Sequence, residues 1–369
     1  MQSLDDDTIS AWQKLAMAPG LSCLKVQQLT QVLGNPLAIL TQSAHQLQSL
    51  GLKSNTIDYL RHENPPVTAV RHWLNAAPQR YLLTLNDPLY PQALLEIPDP
   101  PVMLFFQGQP HSLAAPRLAI VGSRRASKGG QEIAHQFAAQ LAARGMCIVS
   151  GLAFGIDAAA HLGALSVEGI SIAIMGRGLA DIYPATHRRL ANDLLSHGAW
   201  ISEYLPSVGP RPHHFPCRNR IISGLALGVL VVQAAERSGS LITAEQALGY
   251  NREVFAVPGH IHDANSVGCH QLIQSGAKLV TKIDDILAEL PAGSRLKADD
   301  ATHLSREGEK VLATETQKLV ECVGYEPTSI DTIATRCGLT ASAVSAMLIE
   351  LEIQGLVCSD IGGYRRLGN

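Results

Sequence analysis

The sequence predicts an α/β protein built on one doubly wound, mostly parallel sheet, with a small all-α domain before it and a winged-helix domain after it. Three observations predict this. Six short apolar runs rich in Val and Ile recur between residues 117 and 259, amphipathic stretches of helical period separate them, and Gly, Ser and Arg gather directly after the runs. Runs that are apolar throughout suit strands covered on both faces, and alternation with helices makes such a sheet parallel.

Residues 1–75 come first. Helical apolar patterns alternate there with Pro-Gly and Gly-Asn-Pro punctuation, as in "MAPGLSCLKVQQLTQVLGNPLAIL", which predicts a bundle of short helices, SAM-like or helix-hairpin-helix-like in outline. Its hairpin "PGLS" lacks the paired glycines that expose backbone N–H groups to phosphate, so a structural bundle is the better reading. The sheet domain spans residues 76–290. A proline-rich lead-in, "NDPLYPQALLEIPDPPVMLFFQG", is expected to wrap its edge, and the runs "RLAIVGS", "CIVSG", "SIAIMGRG", "AWISEY", "GVLVVQAA" and "EVFAVPG" supply its strands. Between them lie segments such as "QEIAHQFAAQLAARG" and "SLITAEQALGYNR", with the period of helices that cover the sheet. A polar linker is expected at 291–308. Residues 309–369 then carry three helical stretches and two short strands around Gly362-Gly363, the pattern of a winged helix. The helix that would read DNA in that module, "ASAVSAMLIELEIQ", holds Glu350 and Glu352 but no Lys or Arg. Groove reading needs phosphate neutralisation, so a protein contact suits this module better.

Composition narrows the function. The chain has 369 residues, 46% of them hydrophobic and 17% charged, enough for a substantial core. Its acidic start, "MQSLDDDTIS", is unlike a secretory signal, and its longest apolar run, "GLALGVLVV", is far short of the ~20 residues that span a bilayer. No membrane segment is expected. Seven cysteines, at 23, 147, 217, 269, 322, 337 and 358, show no C-x-x-C spacing, which fits reduced packing thiols in the cytoplasm. The formal net charge of −3 hides an uneven distribution. No acid occurs from Pro100 to Gln131, where Arg117, Arg124, Arg125 and Lys128 fall, or from Tyr204 to Ala235, where Arg211, Arg218 and Arg220 fall. Two acid-free stretches in one domain suggest an anionic partner.

The loops after the strands carry the candidate chemistry. "VGSRRASKGG" occupies the place of a dinucleotide phosphate loop but is not G-x-G-x-x-G, and no acid for a ribose ends the second strand. A dinucleotide cofactor is therefore disfavoured, and no other cofactor is expected. Gly122, Ser123 and Arg124 remain as a small-residue loop able to offer backbone N–H groups and one guanidinium to a phosphate. In "SGLAFGIDAAAH", Ser150, Gly151 and Gly155 shape a second such loop, while Asp157 and His161 are either an acid–base pair or a helix-dipole carboxylate and a buried polar residue. The second reading is preferred. "HHFPCRNRIISGLA" joins Phe215, which could stack a base, to Arg218, Asn219 and Arg220, which could hold phosphates. His213 and His214 lack a third ligand at suitable spacing, so no metal site is expected. Ser238, Gly239 and Ser240 form a further small-residue turn into a helix, with Thr243 one turn on. No nucleophile elbow or paired-carboxylate motif occurs.

Taken in order, "VGSR", "SGLAFGIDAAAHLGAL", "IAIMGRGLADIYPATHRRL", "SEYLP", "FPCRNRIISGLALGVLVVQAAERSGSLITAEQA", "REVFAVPGH" and "GCHQLIQSGAKLV" resemble the DNA-processing protein A (DprA, or Smf) family. The resemblance covers about residues 80–285, and the helical N-terminal and winged-helix C-terminal regions also fit it. It implies a Rossmann-like domain that binds single-stranded DNA in natural transformation, protects the incoming strand, helps load the RecA recombinase, and works as a homodimer without catalysis. Carried over by motif, Arg124 matches the family's phosphate-binding arginine and Phe215 an aromatic base-stacking position, with Arg211, Arg218, Asn219 and Arg220 completing the groove. Phe154 occupies a variable position. Two other classes compete. A nucleotide-processing phosphoribohydrolase would show P-G-G-x-G-T-x-x-E where this chain has "RSGSLITAE", and a winged-helix transcription regulator would need a basic recognition helix.

Overall fold

The computed structural model describes residues 4–291 and 314–367, and the chain divides into two compact units, before and after residue 297. The expected linker, 291–308, lies outside the described residues except for Pro291.

The first unit is a doubly wound α/β sheet with helices on both faces. Its strands are β1 (Arg80–Thr84), β2 (Met103–Gly108), β3 (Arg117–Val121), β4 (Cys147–Ser150), β5 (Ser171–Ile174), β6 (Ala199–Ser202), β7 (Gly228–Val231), β8 (Glu253–Ala256) and β9 (Lys278–Leu279). They lie in the order β1-β2-β6-β5-β4-β3-β7-β8-β9. β6 through β9 pair in parallel, and β1 and β2 run antiparallel at one side. All six apolar runs are strands. Along β3, Leu118 and Ile120 pack on the face covered by the helices Lys128–Ala143 and Ile156–Leu165, while Ala119 and Val121 face the other core. That alternation explains why such runs carry no polar side: both faces are covered.

The lead-in expected to wrap the edge does more than that. Its end, "MLFFQG", is the fully buried strand β2, wedged between β1 and β6. The prolines before it hide the strand, and neither β1 nor the two-residue β9 is an apolar run of the kind that predicts β3 to β8. The N-terminal helices, from Asp6–Met17 to Val67–Asn75, do not stand apart from the sheet. Trp12, Leu15, Val26 and Leu29 share one buried cluster with Leu104, Phe106 and Val149.

The second unit is a small winged helix. Helices Thr314–Cys322, Ile330–Cys337 and Ala341–Ile353 precede the antiparallel strands β10 (Val357–Asp360) and β11 (Gly363–Arg366). Leu319, Ile333, Val344, Leu348, Leu351 and Val357 form its core. On its third helix Ile349 and Ile353 remain exposed.

The chain leaves β3 toward β4, β5 and β6, then returns to β7 on the other side of β3. This reversal opens a crevice beyond the carboxyl ends of β3 and β7, where open parallel sheets place their ligands.

Candidate functional site

A cleft of about 570 Å³ occupies that crevice. Its walls come from the segments that follow β3, β4, β6, β7 and β8.

The loop after β3 is tied down by its backbone. Ser123 N–H donates to the Gln233 carbonyl (2.7 Å), and the Ser123 carbonyl accepts from Ile156 N–H (3.2 Å). The Ser123 hydroxyl accepts from Arg125 N–H (3.1 Å). The Gln233 side chain closes a pair of bonds with Ser127, whose N–H and hydroxyl both lie 3.0 Å from its amide. Holding the backbone this firmly leaves the side chains of Arg124 and Arg125 exposed to solvent.

The loop after β4 is drawn inward. Ser150 is fully buried and donates its hydroxyl to the Ile120 carbonyl (2.7 Å). Asp157, nearly buried in the first turn of the next helix, accepts from Gly151 N–H (3.1 Å) and Ala153 N–H (3.3 Å). Gly155 turns the chain at φ +75°, and a Cβ there would collide with the Ser123 carbonyl. His161 points elsewhere. Its Nδ1 lies 2.8 Å from the Ser171 hydroxyl in a fully enclosed position, and burial lowers its pKa to about 3. Asp157 and His161 therefore have separate partners and separate structural duties, one on the loop and one under the sheet.

The helix His214–Leu225 delivers Phe215, Arg218 and Asn219 to the cleft. The Phe215 ring carries the Arg124 guanidinium 5.6 Å from its centroid, within the range of cation–π attraction. Arg218 is only 3% exposed. Its Nη1 donates to the carbonyls of Gly151 (3.0 Å) and Ile174. A Cβ on Gly151 would come within 2.5–2.7 Å of this guanidinium, so glycine makes room for it. Burial lowers the Arg218 pKa to about 10, opposed by the charge of Asp157; burial raises that of Asp157, opposed by Arg218 and the two loop N–H groups. The two compensate each other beneath the cleft. Asn219 reaches the Gly239 carbonyl (3.3 Å).

The exit from β7 provides the far wall. Ser238 caps the helix Gly239–Gly249, and its hydroxyl lies 2.7 Å from that of Ser240. The N-terminal end of that helix, and with it the positive end of its dipole, lies at the cleft.

Of the residues expected at the site, the cleft brings together Gly122, Ser123, Arg124, Phe215, Arg218, Asn219, Ser238, Gly239 and Ser240. Ser150, Gly151 and Gly155 shape the loop behind it. Arg211 is exposed on the approach to the helix and does not line the cleft. Arg220 faces away and is bound by Glu203 (2.6 and 2.8 Å) and Asp99 (3.3 Å). Sequence reasoning missed Arg125, Arg237 and Asn265, which also line the cleft. Arg125 and Arg237 lay within the quoted loops "GSRR" and "RSGS" and could have been found there; Asn265 had no local signal. Four arginines (124, 125, 218, 237) against the single acid Asp157 give the lining a formal charge of +3. Such a wall favours anions, and the Phe215 face at its mouth favours flat ones.

Known proteins share this sequence pattern and fold. A family model described as DNA recombination-mediator protein A matches residues 81–291, and one described as the DprA winged helix domain matches residues 305–363. Protein Smf of Escherichia coli (strain K12) is 45% identical over 298 residues, covering 80% of this chain and 79% of that protein. The X-ray structure of DNA processing protein A from Streptococcus pneumoniae superposes with a TM-score of 0.65 at 36% identity, covering 79% of this chain and 99% of that one. DNA processing protein A of Helicobacter pylori, solved for its single-stranded DNA binding mode, matches at TM-score 0.51 and 29% identity over 56% of this chain and 94% of its own.

Proposed function

The chain belongs to the DNA recombination-mediator protein A (DprA/Smf) family, and on that premise we propose that its arginine-lined cleft binds single-stranded DNA. Arg124 holds a phosphate, Phe215 stacks a base, and the small residues Gly122, Ser123, Ser238, Gly239 and Ser240 let the strand approach the cleft wall closely. Arg125 and Arg237 add charge at the rim, and Asn219 orients the turn into the helix Gly239–Gly249. Ser150, Gly151, Gly155, Arg218 and Arg220 serve by holding these groups in place. Bound in this way, the strand is shielded from nucleases and presented to the RecA recombinase during natural transformation in the cytoplasm. The protein acts as a homodimer and without catalysis.

One observation carries this reading: an exposed guanidinium lies against an aromatic face at the mouth of a cleft whose charge is +3. Single-strand binding needs that combination, because the phosphates supply affinity and the bases supply stacking faces. The Helicobacter pylori relative, studied for its single-stranded DNA binding, supports it. The winged helix is assigned to a protein contact, since its third helix presents Ile349 and Ile353 to solvent and carries no Lys or Arg.

The test is affinity for single- and double-stranded oligonucleotides at two salt concentrations. Preference for the single strand, weakening steeply with salt, is expected. Steady release of free base from nucleoside monophosphates would instead place the protein among the nucleotide-processing enzymes.

A further inference from the structure

Aromatic side chains continue along the same rim beyond the arginine cleft. Phe215, which carries Arg124 on its face, also meets Tyr183, with ring centroids 5.7 Å apart and planes at 44°. Four residues further on, His187 meets Phe154 edge-on at 4.8 Å. Nδ1 of His187 lies 3.0 Å from the Leu152 carbonyl, which joins the loop after β5 to the loop after β4. Tyr183 is 49% and Phe154 48% exposed, and neither belongs to a buried cluster of the fold.

The order of the strands gives the stripe a direction. The cleft lies over β3 and β7, β4 is the next strand, and β5 lies beyond it. Phe154 follows β4 and Tyr183 follows β5, so the rings extend the cleft sideways along one edge of the sheet. Half-exposed aromatic faces on loops tied by backbone hydrogen bonds are platforms prepared in advance, and every nucleobase has a face to match them.

We propose that Tyr183 and Phe154 form a second base-stacking station, which carries the strand from the β3–β7 cleft across the ends of β4 and β5. The proposal rests on the single-strand reading of the cleft. Continuity through the Phe215–Tyr183 contact selects bases as the occupant, since the strand that fills the cleft meets these rings next.

The test uses the full chain and oligothymidylates from about 4 to about 16 nucleotides, the range of single-strand site sizes. The quantity read is the gain in affinity from short to long oligonucleotide. Phe154→Leu, which leaves Phe215 untouched, and Tyr183→Leu should each reduce that gain about fivefold or more, and Phe154→Tyr and Tyr183→Phe should restore it. Photocrosslinking with bromouracil-substituted oligonucleotides should label peptides containing Tyr183 or Phe154. Unchanged gains in both Leu variants, with crosslinks confined to Phe215, would overturn the second station. If Arg124→Ala alone weakens binding in that case, the cleft stands and only the extension fails; if Arg124→Ala is also silent, the reading of the cleft itself fails.

Discussion

The Arg124 guanidinium rests 5.6 Å above the Phe215 ring although one residue lies on the loop after β3 and the other on the helix after β6, 91 positions apart in the chain. The ring holds the cation at the cleft mouth without neutralising it, since an aromatic face attracts charge but does not cancel it. Arg124 thereby stays available to a phosphate.

Arg124→Ala should therefore weaken single-strand binding for all sequences alike. Loss of one phosphate contact lowers the slope of log affinity against log salt by about 0.7. Because the side chain is exposed, folding stability should move by less than about 0.5 kcal/mol. Fluorescence anisotropy across a salt series, with urea unfolding as control, measures both; an unchanged slope would remove Arg124 from the site.

Arg218→Ala should behave in the opposite way. The substitution strips two backbone carbonyls of their donor and leaves Asp157 buried without its counter-charge. Leaving a buried charge uncompensated in this way costs about 3–5 kcal/mol. Urea unfolding should show that loss with no DNA present, and a stable Arg218→Ala protein would show that the guanidinium is not part of the frame.

Gly155→Ala tests the junction between the two loops. The added methyl group would strain a backbone at φ +75° and strike the Ser123 carbonyl. A cost of about 2 kcal/mol or more is expected, and because Ser123 must move, single-strand affinity should fall as well. Thermal unfolding and anisotropy on the same variant check both effects.

His161 makes stability depend on pH. Its folded pKa, about 3, lies below the ordinary 6.5 because the ring is buried. The unfolded chain therefore binds the proton more readily, so the stabilisation is whole above about pH 6.5 and declines as pH falls toward 3. Between pH 7 and pH 5 the loss is about 2 kcal/mol. Burial raises the Asp157 pKa and acts with the opposite sign, so the comparison is made against His161→Gln, in which the His161 part of the acid sensitivity should vanish. Equal pH dependence in both proteins would contradict the buried position of the ring.

Much of the fold was legible because local patterns dictate it. The six apolar runs announced β3 through β8, and Ser127 and Ser238 stand as N-caps where strand-to-helix turns were expected. β2 was illegible for an equally local reason: "MLFFQG" follows a proline cluster, and nothing in these six residues says that they pair between β1 and β6. In "SGLAFGIDAAAH", the preference for structural roles over an acid–base pair fits Asp157 on the loop and His161 on Ser171.

By itself the sequence determined that phosphate-sized loops of Gly, Ser and Arg follow parallel strands, since those residue types are needed where a buried strand turns into a helix at a sheet's edge. Only the tertiary structure decided which side chains face outward. Arg218 and Arg220 look equivalent in "FPCRNR", yet two helical residues are separated by about 200° of rotation. One turns under the cleft toward Gly151 and Asp157, and the other turns away to Glu203 and Asp99. Arg124, on a loop pinned through its neighbours' backbone, is left with its charge at the cleft mouth against Phe215.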